Sequence, residues 1–488
     1  MSKPIPAAEI VTLLGRWAAG RGALYRLLAA RLRALVDEGA IAPDSTLPPD
    51  RTLAGHLAVG RGTVVAAYDL LRDEGVVVRH RGSGTRVASR GLPVAPSDPT
   101  QHTGGAYFLS MLDDVPGSLV LTCAAPDTPP PELRPAFHRA ADGLGELTND
   151  IGYHPTGHPE LRRAVADRFT ARGLATAPEQ VLVTTGAQQA LALLVRHYVS
   201  PGDTVLTERP TYPGILPLLA DAAADTRTVP VTAQGRDVDT YAHGMGRSRP
   251  ALTYVVPSFH NPTGALMPPL QRRRLVRITA EHEVPLVEDE TVCELGFDGP
   301  PPPPLAAYPG GERVVTVGSL SKVAWGGLRV GWIRSDAATV TRLARLKAIT
   351  DLGTNVVGQV AACHLLGTLD GLAQRRREEL ARRHDHLCAL LDRWLPDWEY
   401  GRASGGQTLW VRLPGTTGAS FAQVALRHGV ALLSGDVLAP GAEGADHLRL
   451  PFLPDEETLD TAVHRLSRAW EEHTSATGRT ATLNAMVV

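Results

Sequence analysis

Lysine is rare in this chain: Lys3, Lys322 and Lys347 are all it has. Lys322 closes the run Gly318-Ser319-Leu320-Ser321-Lys322, and Arg329 follows seven residues later. Two hydroxyls and a guanidinium make an anion-binding loop, and the lysine puts an amine beside it. The turn Thr184-Thr185-Gly186 opens a helical segment at Ala187-Gln188, where free backbone N–H groups can meet a phosphate. Glu288-Asp289-Glu290 follows apolar Leu286-Val287. Three adjacent carboxylates repel, so one of them calls for a cationic partner; Glu288 and Glu290 read as parts of a solvated loop. His260-Asn261-Pro262-Thr263-Gly264 is a rigid turn able to hold an amide against a ligand, and Tyr212 offers a ring face for stacking. An amine, a phosphate cradle and a carboxylate share one economical explanation, pyridoxal 5′-phosphate. Its aldehyde needs a lysine for a Schiff base, here Lys322. Its phosphate needs Ser319, Ser321, Arg329 and N–H groups, and its ring nitrogen needs Asp289 to stay protonated.

These residues must be carried to one place. Strand-like runs alternate with helical ones: Val181-Leu182-Val183 before Ala187–Val199, then Val205-Leu206, Leu252–Val256, Pro285–Val287 and Val314–Val317. Such alternation predicts an α/β fold with a mainly parallel sheet. Ligands gather at the carboxyl ends of strands in such sheets, and each suggestive residue follows a strand. The proline run Pro300 to Pro304 reads as a surface loop within this body.

The first 90 residues behave differently. They hold 13 Lys/Arg against 8 Asp/Glu, a net of +5, while the remainder carries −7. A basic head on an acidic body points to a polyanion as the head's partner. Leu24, Leu27, Leu28, Leu32, Leu35 and Val36 recur at helical spacing. A turn at Leu47-Pro48-Pro49 opens a shorter helix with Leu53, Ala54 and Leu57. Val59-Gly60-Arg61-Gly62 then precedes a third helix with Val64, Val65, Tyr68 and Leu71 on one face. Val76-Val77-Val78, a tight turn at Arg81-Gly82-Ser83-Gly84 and Thr85-Arg86-Val87 read as a two-stranded ribbon. Three helices and a hairpin make a winged helix-turn-helix. Its third helix would bring Arg61, Gly62 and Thr63 to a major groove. Arg51, Arg79, Arg81, Gly82 and Arg86 would meet phosphates of double-stranded DNA. Residues 89–106, rich in Pro, Gly, Ser and Thr, read as a tether.

At 488 residues the chain has length for two or three domains. It is 43% hydrophobic and 20% charged, which excludes a disordered composition. No apolar run approaches the roughly 18 residues of a membrane span, and the opening residues lack the pattern of a signal peptide. Cys123, Cys293, Cys363 and Cys388 stand far apart, so neither a disulfide framework nor a metal site is expected, and a reducing cytoplasm fits.

The segment LPPDRTLAGHLAVGRGTVVAAYDLLRDEGVVVRHRGSGTRVA resembles the DNA-binding module of GntR-type bacterial regulators across nearly all of residues 20–88. Residues 107–475 resemble a fold-type-I aminotransferase with large and small subdomains, and head plus body resemble the MocR family of GntR regulators. That resemblance implies a head at 10–88, a tether at 89–106 and a cofactor-binding body at 107–475. It implies that Lys322 carries the cofactor, Asp289 pairs with its ring nitrogen, Asn261 donates to its phenolic oxygen and Tyr212 stacks on its ring. Gly186, Ala187, Gln188, Ser319, Ser321 and Arg329 would hold the phosphate. Tyr153 would reach the phosphate in the other subunit of a homodimer, and Arg449 would grip the carboxylate of an amino-acid-like effector. The resemblance also leads one to expect a tyrosine two residues after the aspartate, where Thr291 stands. The implied function is a pyridoxal-phosphate-dependent transcriptional regulator. A working aminotransferase with an appended head, and a DNA-binding protein with a cofactor-free scaffold, are the alternatives.

Overall fold

The computed structural model describes residues 5–19, 22–80, 84–88, 117–146, 148–232, 235–439 and 442–485. The tether expected at 89–106 and the wing turn at Arg81 and Gly82 lie outside them. The chain divides into two compact units, one of residues 1–123, 387–399 and 411–488 and one of 124–386 and 400–410.

The first unit begins with the head. Helix α1 (Ala7–Leu14) was not anticipated from the sequence, because at eight residues it shows hardly two turns of periodicity. Helices α2 (Leu24–Asp37), α3 (Asp50–His56) and α4 (Arg61–Asp73) follow the leucine spacing already noted. Strands β1 (Val77–His80) and β2 (Gly84–Val87) pair antiparallel as the wing. Ile10, Leu14, Leu28, Leu32, Leu53, Leu57, Val64 and Leu71 bury their side chains in one cluster. Tyr68 hangs its hydroxyl on the Pro48 carbonyl at 2.9 Å, tying α4 to the turn before α3. After the head comes β3 (Leu119–Leu121).

The second unit is built on eight strands: β4 (Val181–Thr184), β5 (Thr204–Arg209), β6 (Asp225–Thr232), β7 (Gly235–Arg236), β8 (Leu252–Val255), β9 (Leu286–Asp289), β10 (Val314–Ser319) and β11 (Gly331–Arg334). Their order is β4-β11-β10-β9-β8-β5-β6-β7. The run β10-β9-β8-β5-β6 is parallel throughout, and β11 runs against both β10 and β4. Buried on both faces, β4, β8, β9 and β10 are fully enclosed along their length, as expected of parallel strands covered by helices. The expected α/β architecture is what the structure has.

The chain then returns to the first unit. Strands β12 (Glu399–Tyr400), β13 (Thr408–Arg412), β14 (Val430–Ser434) and β15 (His447–Pro451) join β3 in a five-stranded sheet of order β12-β13-β15-β14-β3. Helix Gly418–Arg427 opens on Thr417, whose hydroxyl accepts from the Ser420 N–H at 3.2 Å.

Candidate functional site

Five strand ends of the second unit carry the residues singled out from the sequence. β4 ends at Thr184, and Gly186 starts the helix Ala187–Tyr198. β5 leads to Tyr212, β8 to Asn261, β9 ends in Asp289 itself, and β10 ends in Ser319 with Lys322 three residues on. The parallel pairing of β5, β8, β9 and β10 puts these four ends on one edge of the sheet, because a parallel strand presents its carboxyl end on the same side as its neighbour's.

Asp289 is 3% exposed. One carboxylate oxygen accepts from the Tyr254 hydroxyl at 2.8 Å and the other from the Thr291 N–H at 2.9 Å. Burial pushes this carboxyl above its usual range, against the pull of those donors and of the Lys322 charge. The side chain is therefore held rigidly and is short of positive charge, as a partner for a ring N–H must be. The Thr291 hydroxyl, like its N–H, supports Asp289.

Lys322 is half-buried and donates to the Ala124 carbonyl. The Ser319 and Ser321 hydroxyls lie 2.8 Å apart, and Ser319 Oγ also accepts from the Ser321 N–H at 3.1 Å. Arg329, in the left-handed region at φ 55°, donates to the Thr185 carbonyl. It thereby spans from the β10 loop to the turn ahead of Ala187. Gly186 adopts φ 106°, and a Cβ there would sit 3.2 Å from the Arg329 guanidinium. A bare glycine, a guanidinium and the first N–H groups of a helix thus converge at one turn, an arrangement with the chemistry to accept a phosphate. The Tyr212 hydroxyl donates to Gln188 Oε1 at 3.1 Å, and Gln188 Nε2 to the Gly214 carbonyl at 2.8 Å, so Tyr212 is braced against the same helix. The donor set fits pyridoxal phosphate: an amine, a buried carboxylate, two hydroxyls and a glycine-lined anion turn.

We expect Gly186→Ala to lower cofactor affinity about tenfold, since forcing a side chain into this backbone region costs roughly 1–2 kcal/mol at a functional turn. Absorbance titration with pyridoxal phosphate measures this, and unchanged affinity would remove the turn from the cradle.

The carboxylates flanking Asp289 correct the reading of a solvated loop. Glu288 is fully buried and Glu290 is 5% exposed, not solvated. Arg172 pairs with Glu290 through both nitrogens, at 2.6 and 2.9 Å, and donates to the Pro302 carbonyl at 2.8 Å. Burial first, and the Glu290 charge second, push Glu288 up to about 8, despite Arg272 at 3.8 Å. The Leu305 N–H donates to Glu288 at 2.9 Å. The proline run thus caps this buried network with its carbonyls, which is why a stiff, N–H-poor segment serves there.

Sequence reasoning missed the network beneath Asn261. Glu208, at 1% exposure, pairs with Arg236 at 2.8 Å and accepts from the Tyr241 hydroxyl at 3.0 Å and the Val256 N–H at 2.7 Å. His260 Nε2 stands 3.3 Å from it. Burial opposes the Glu208 charge, but Arg236 and His260 prevail and hold the carboxyl below its usual range. A carboxylate following the apolar pair Val205-Leu206 in β5 was the available signal.

Tyr153 is 63% exposed. Arg449, on β15 of the first unit, is 2% exposed and donates to the Thr122 carbonyl.

In the head, Arg61 is 68% exposed and its Nε lies 3.0 Å from Asp50 Oδ2. Partial burial opposes the Asp50 charge, yet Arg61 and the Arg51 N–H hold it below its usual range. Gly60 caps α4 without a side chain, and Gly62 has open space around it, leaving the helix N-terminus accessible. Arg51 is exposed, and Arg79 pairs with Asp69 at 3.3 Å. Arg86 is half-buried, with its Nε enclosed, because its strand faces the Thr46 backbone.

Residues 123–466 match the family model for aminotransferase class I and II, and residues 24–87 that for bacterial regulatory proteins of the gntR family. The 2-aminoadipate transaminase of Thermus thermophilus is 34% identical over 358 residues, covering 70% of this chain and 88% of the relative. The probable rhizopine catabolism regulatory protein MocR of Rhizobium meliloti is 31% identical over 396 residues, covering 77% and 78%. Among solved structures, LysN, the alpha-aminoadipate aminotransferase from Thermus thermophilus complexed with N-(5′-phosphopyridoxyl)-L-leucine, superposes with a TM-score of 0.67 at 31% identity. The match covers 74% of this chain and 94% of that one.

Proposed function

Because this chain belongs to the aminotransferase class I and II family through its body and carries a gntR-family head, we propose that it is a MocR-type transcriptional regulator whose body senses an amino compound through pyridoxal phosphate. The observation that carries this reading is the pairing in one chain of an exposed recognition-helix N-terminus with a half-buried amine, a buried carboxylate and a hydroxyl pair at strand ends. When bound, the cofactor supplies an aldehyde that condenses with amines and a ring that withdraws electrons. Lys322 would hold its aldehyde carbon, and Asp289, steadied by Tyr254 and Thr291, would keep the ring nitrogen protonated. Ser319, Ser321, Arg329, Gly186, Ala187 and Gln188 would hold the phosphate. Tyr212 would cover one ring face, and Asn261 would donate to the phenolic oxygen.

Arg449 would take the carboxylate of an amino-acid-like effector; its near-complete burial makes it a strong cation once an anion displaces water. The exposure of Tyr153 suits a residue that completes the partner subunit's site in a homodimer. Double-stranded DNA would be met by Arg61, Gly62 and Thr63 in the major groove and by Arg51, Arg79, Arg81, Gly82 and Arg86 at phosphates. A cytoplasmic location suits such a regulator, and no single helix among the described residues is long and apolar enough to cross a membrane. For an effector to act, it must favour one arrangement of head and body over another.

Footprinting of genomic DNA fragments with and without pyridoxal phosphate tests the proposal, and failure to select any fragment would defeat it. We expect Arg61→Ala to weaken DNA binding by at least tenfold and to leave the cofactor's absorption unchanged. A changed spectrum would contradict the separation of the two roles.

A further inference from the structure

In the second unit, the helix Ala337–Asp351 ends on an ion pair that the cofactor set does not use. Lys347, one of three lysines in the chain, is 0% exposed, and its Nζ donates to Asp351 Oδ1 at 2.8 Å. A buried ammonium is costly unless paired, so Lys347 pins the carboxylate in place. Asp351 then reaches in two directions. Its Oδ2 accepts from Gln189 Nε2 at 2.8 Å, and Gln189 Oε1 accepts from the Thr185 N–H at 2.9 Å. Thr185 precedes Gly186, and its carbonyl takes the Arg329 guanidinium. A backbone N–H can only donate, so the Gln189 amide must turn its oxygen to Thr185 and its nitrogen to Asp351. In the other direction, Asp351 Oδ1 accepts from the Gly353 N–H at 3.0 Å. Gly353, at φ 148°, lies so close to His154 that a Cβ would stand 2.9 Å from the His154 backbone N and O. His154 follows Tyr153, and its Nε2 lies 3.0 Å from Asp150. Burial opposes the Asp351 charge, yet the Lys347 and Gln189 donors hold its carboxyl below the usual range, which keeps both oxygens acceptors.

We propose that Lys347 and Asp351 are positioning residues for two phosphate-binding elements at once: through Gln189 the Thr185-Gly186 turn of their own subunit, and through Gly353 the loop whose Tyr153 serves the partner subunit. This deepens the proposed function and rests on its placing of the phosphate and of Tyr153. A ligand-holding group is only as precise as the groups that lock it. Here one carboxylate locks a turn and a loop that belong to different sites of a homodimer. Exposed Ile151, Tyr153, Ile349 and Leu352 border the two segments, apolar surface of the kind a second copy covers. Cofactor bound in one subunit orders its turn, through it Asp351, and through that the Tyr153 loop offered to the other subunit. Occupation of either site therefore favours occupation of the other, and by linkage the effect is reciprocal.

Mixed dimers of two differently tagged full-length chains test this. One chain carries Lys322→Ala, so the imine absorption reports only the site of the other chain. A substitution in the reporting chain reads its effect on its own site, and one in the Lys322→Ala chain reads its effect across the dimer. Gln189→Met should lower pyridoxal phosphate affinity at least fivefold in the reporting chain and less than twofold from the other. Gly353→Ala should show the reverse. The double variant Lys347→Met, Asp351→Ala, which breaks both links without stranding a buried charge, should cost at least fivefold from either chain. Pyridoxal, which lacks the phosphate, should bind within about twofold of wild type throughout. An equal loss for pyridoxal would show that the pair only staples its helix, and a double variant without effect from either chain would overturn the proposal outright. Tyr153→Phe in the Lys322→Ala chain keeps the underlying reading separate. If it weakens the reporting site and the double variant in that chain does not, the coupling fails while the reading stands. If it has no effect, the placing of Tyr153 fails and takes the coupling with it.

Discussion

Protein carrying Lys322→Ala will emerge from gel filtration without pyridoxal phosphate and without a visible absorption band. The wild-type chain, incubated and filtered in the same way, will keep a distinct band. Lys322 is the amine beside the hydroxyl pair of Ser319 and Ser321 and is electrically coupled to Asp289. The remaining donors hold the phosphate and ring by hydrogen bonds alone, and such bonds contribute only about 0.5–1.5 kcal/mol each in net terms. Losing the covalent anchor therefore removes most of the retention. DNA binding by the head should survive in this variant, because the buried cluster of the head contains no residue of the cofactor set. A variant that still carried cofactor through filtration would show that another group holds it, and the assignment of the site would fall.

The largest effect on stability should come from Glu208→Gln. Glu208 and Arg236 form a fully buried ion pair at 2.8 Å, and the same carboxylate serves Tyr241 and the Val256 N–H. Removing the charge leaves the Arg236 guanidinium enclosed without a counter-ion, a change that typically costs about 3–5 kcal/mol. The consequence is local as well as global. Val256 ends the segment that leads to Asn261, so slackening there should also weaken cofactor binding, visible as a higher pyridoxal phosphate concentration at half-saturation. Thermal unfolding with and without cofactor reads both. Pairing the change with Arg236→Met should recover part of the lost stability, because the stranded charge is gone. If the double variant were less stable than Glu208→Gln by the full cost of a second independent substitution, the pair would not be acting as a unit.

What could be read from residues alone was chemistry that runs along the chain. Lys322, Ser319 and Ser321 lie within four residues, Gly186 abuts its helix, and the leucines of α2 announce their own period; local spacing suffices because a turn or a helix is a local object. The alternation of apolar strands and helices also sufficed for the parallel sheet, since strands covered on both faces must be continuously apolar. The sequence likewise showed the charge difference between head and body and the arginine at the start of α4.

Only the tertiary structure decided where charges remote in sequence meet. Glu290 reads as solvated until Arg172, 118 residues away, closes on it, and Glu208 reads as a stray acid until Arg236 and Val256 converge on it from β7 and the end of β8. Burial is a property of the whole chain, and it is burial that turns an ordinary glutamate into a group that must find a partner.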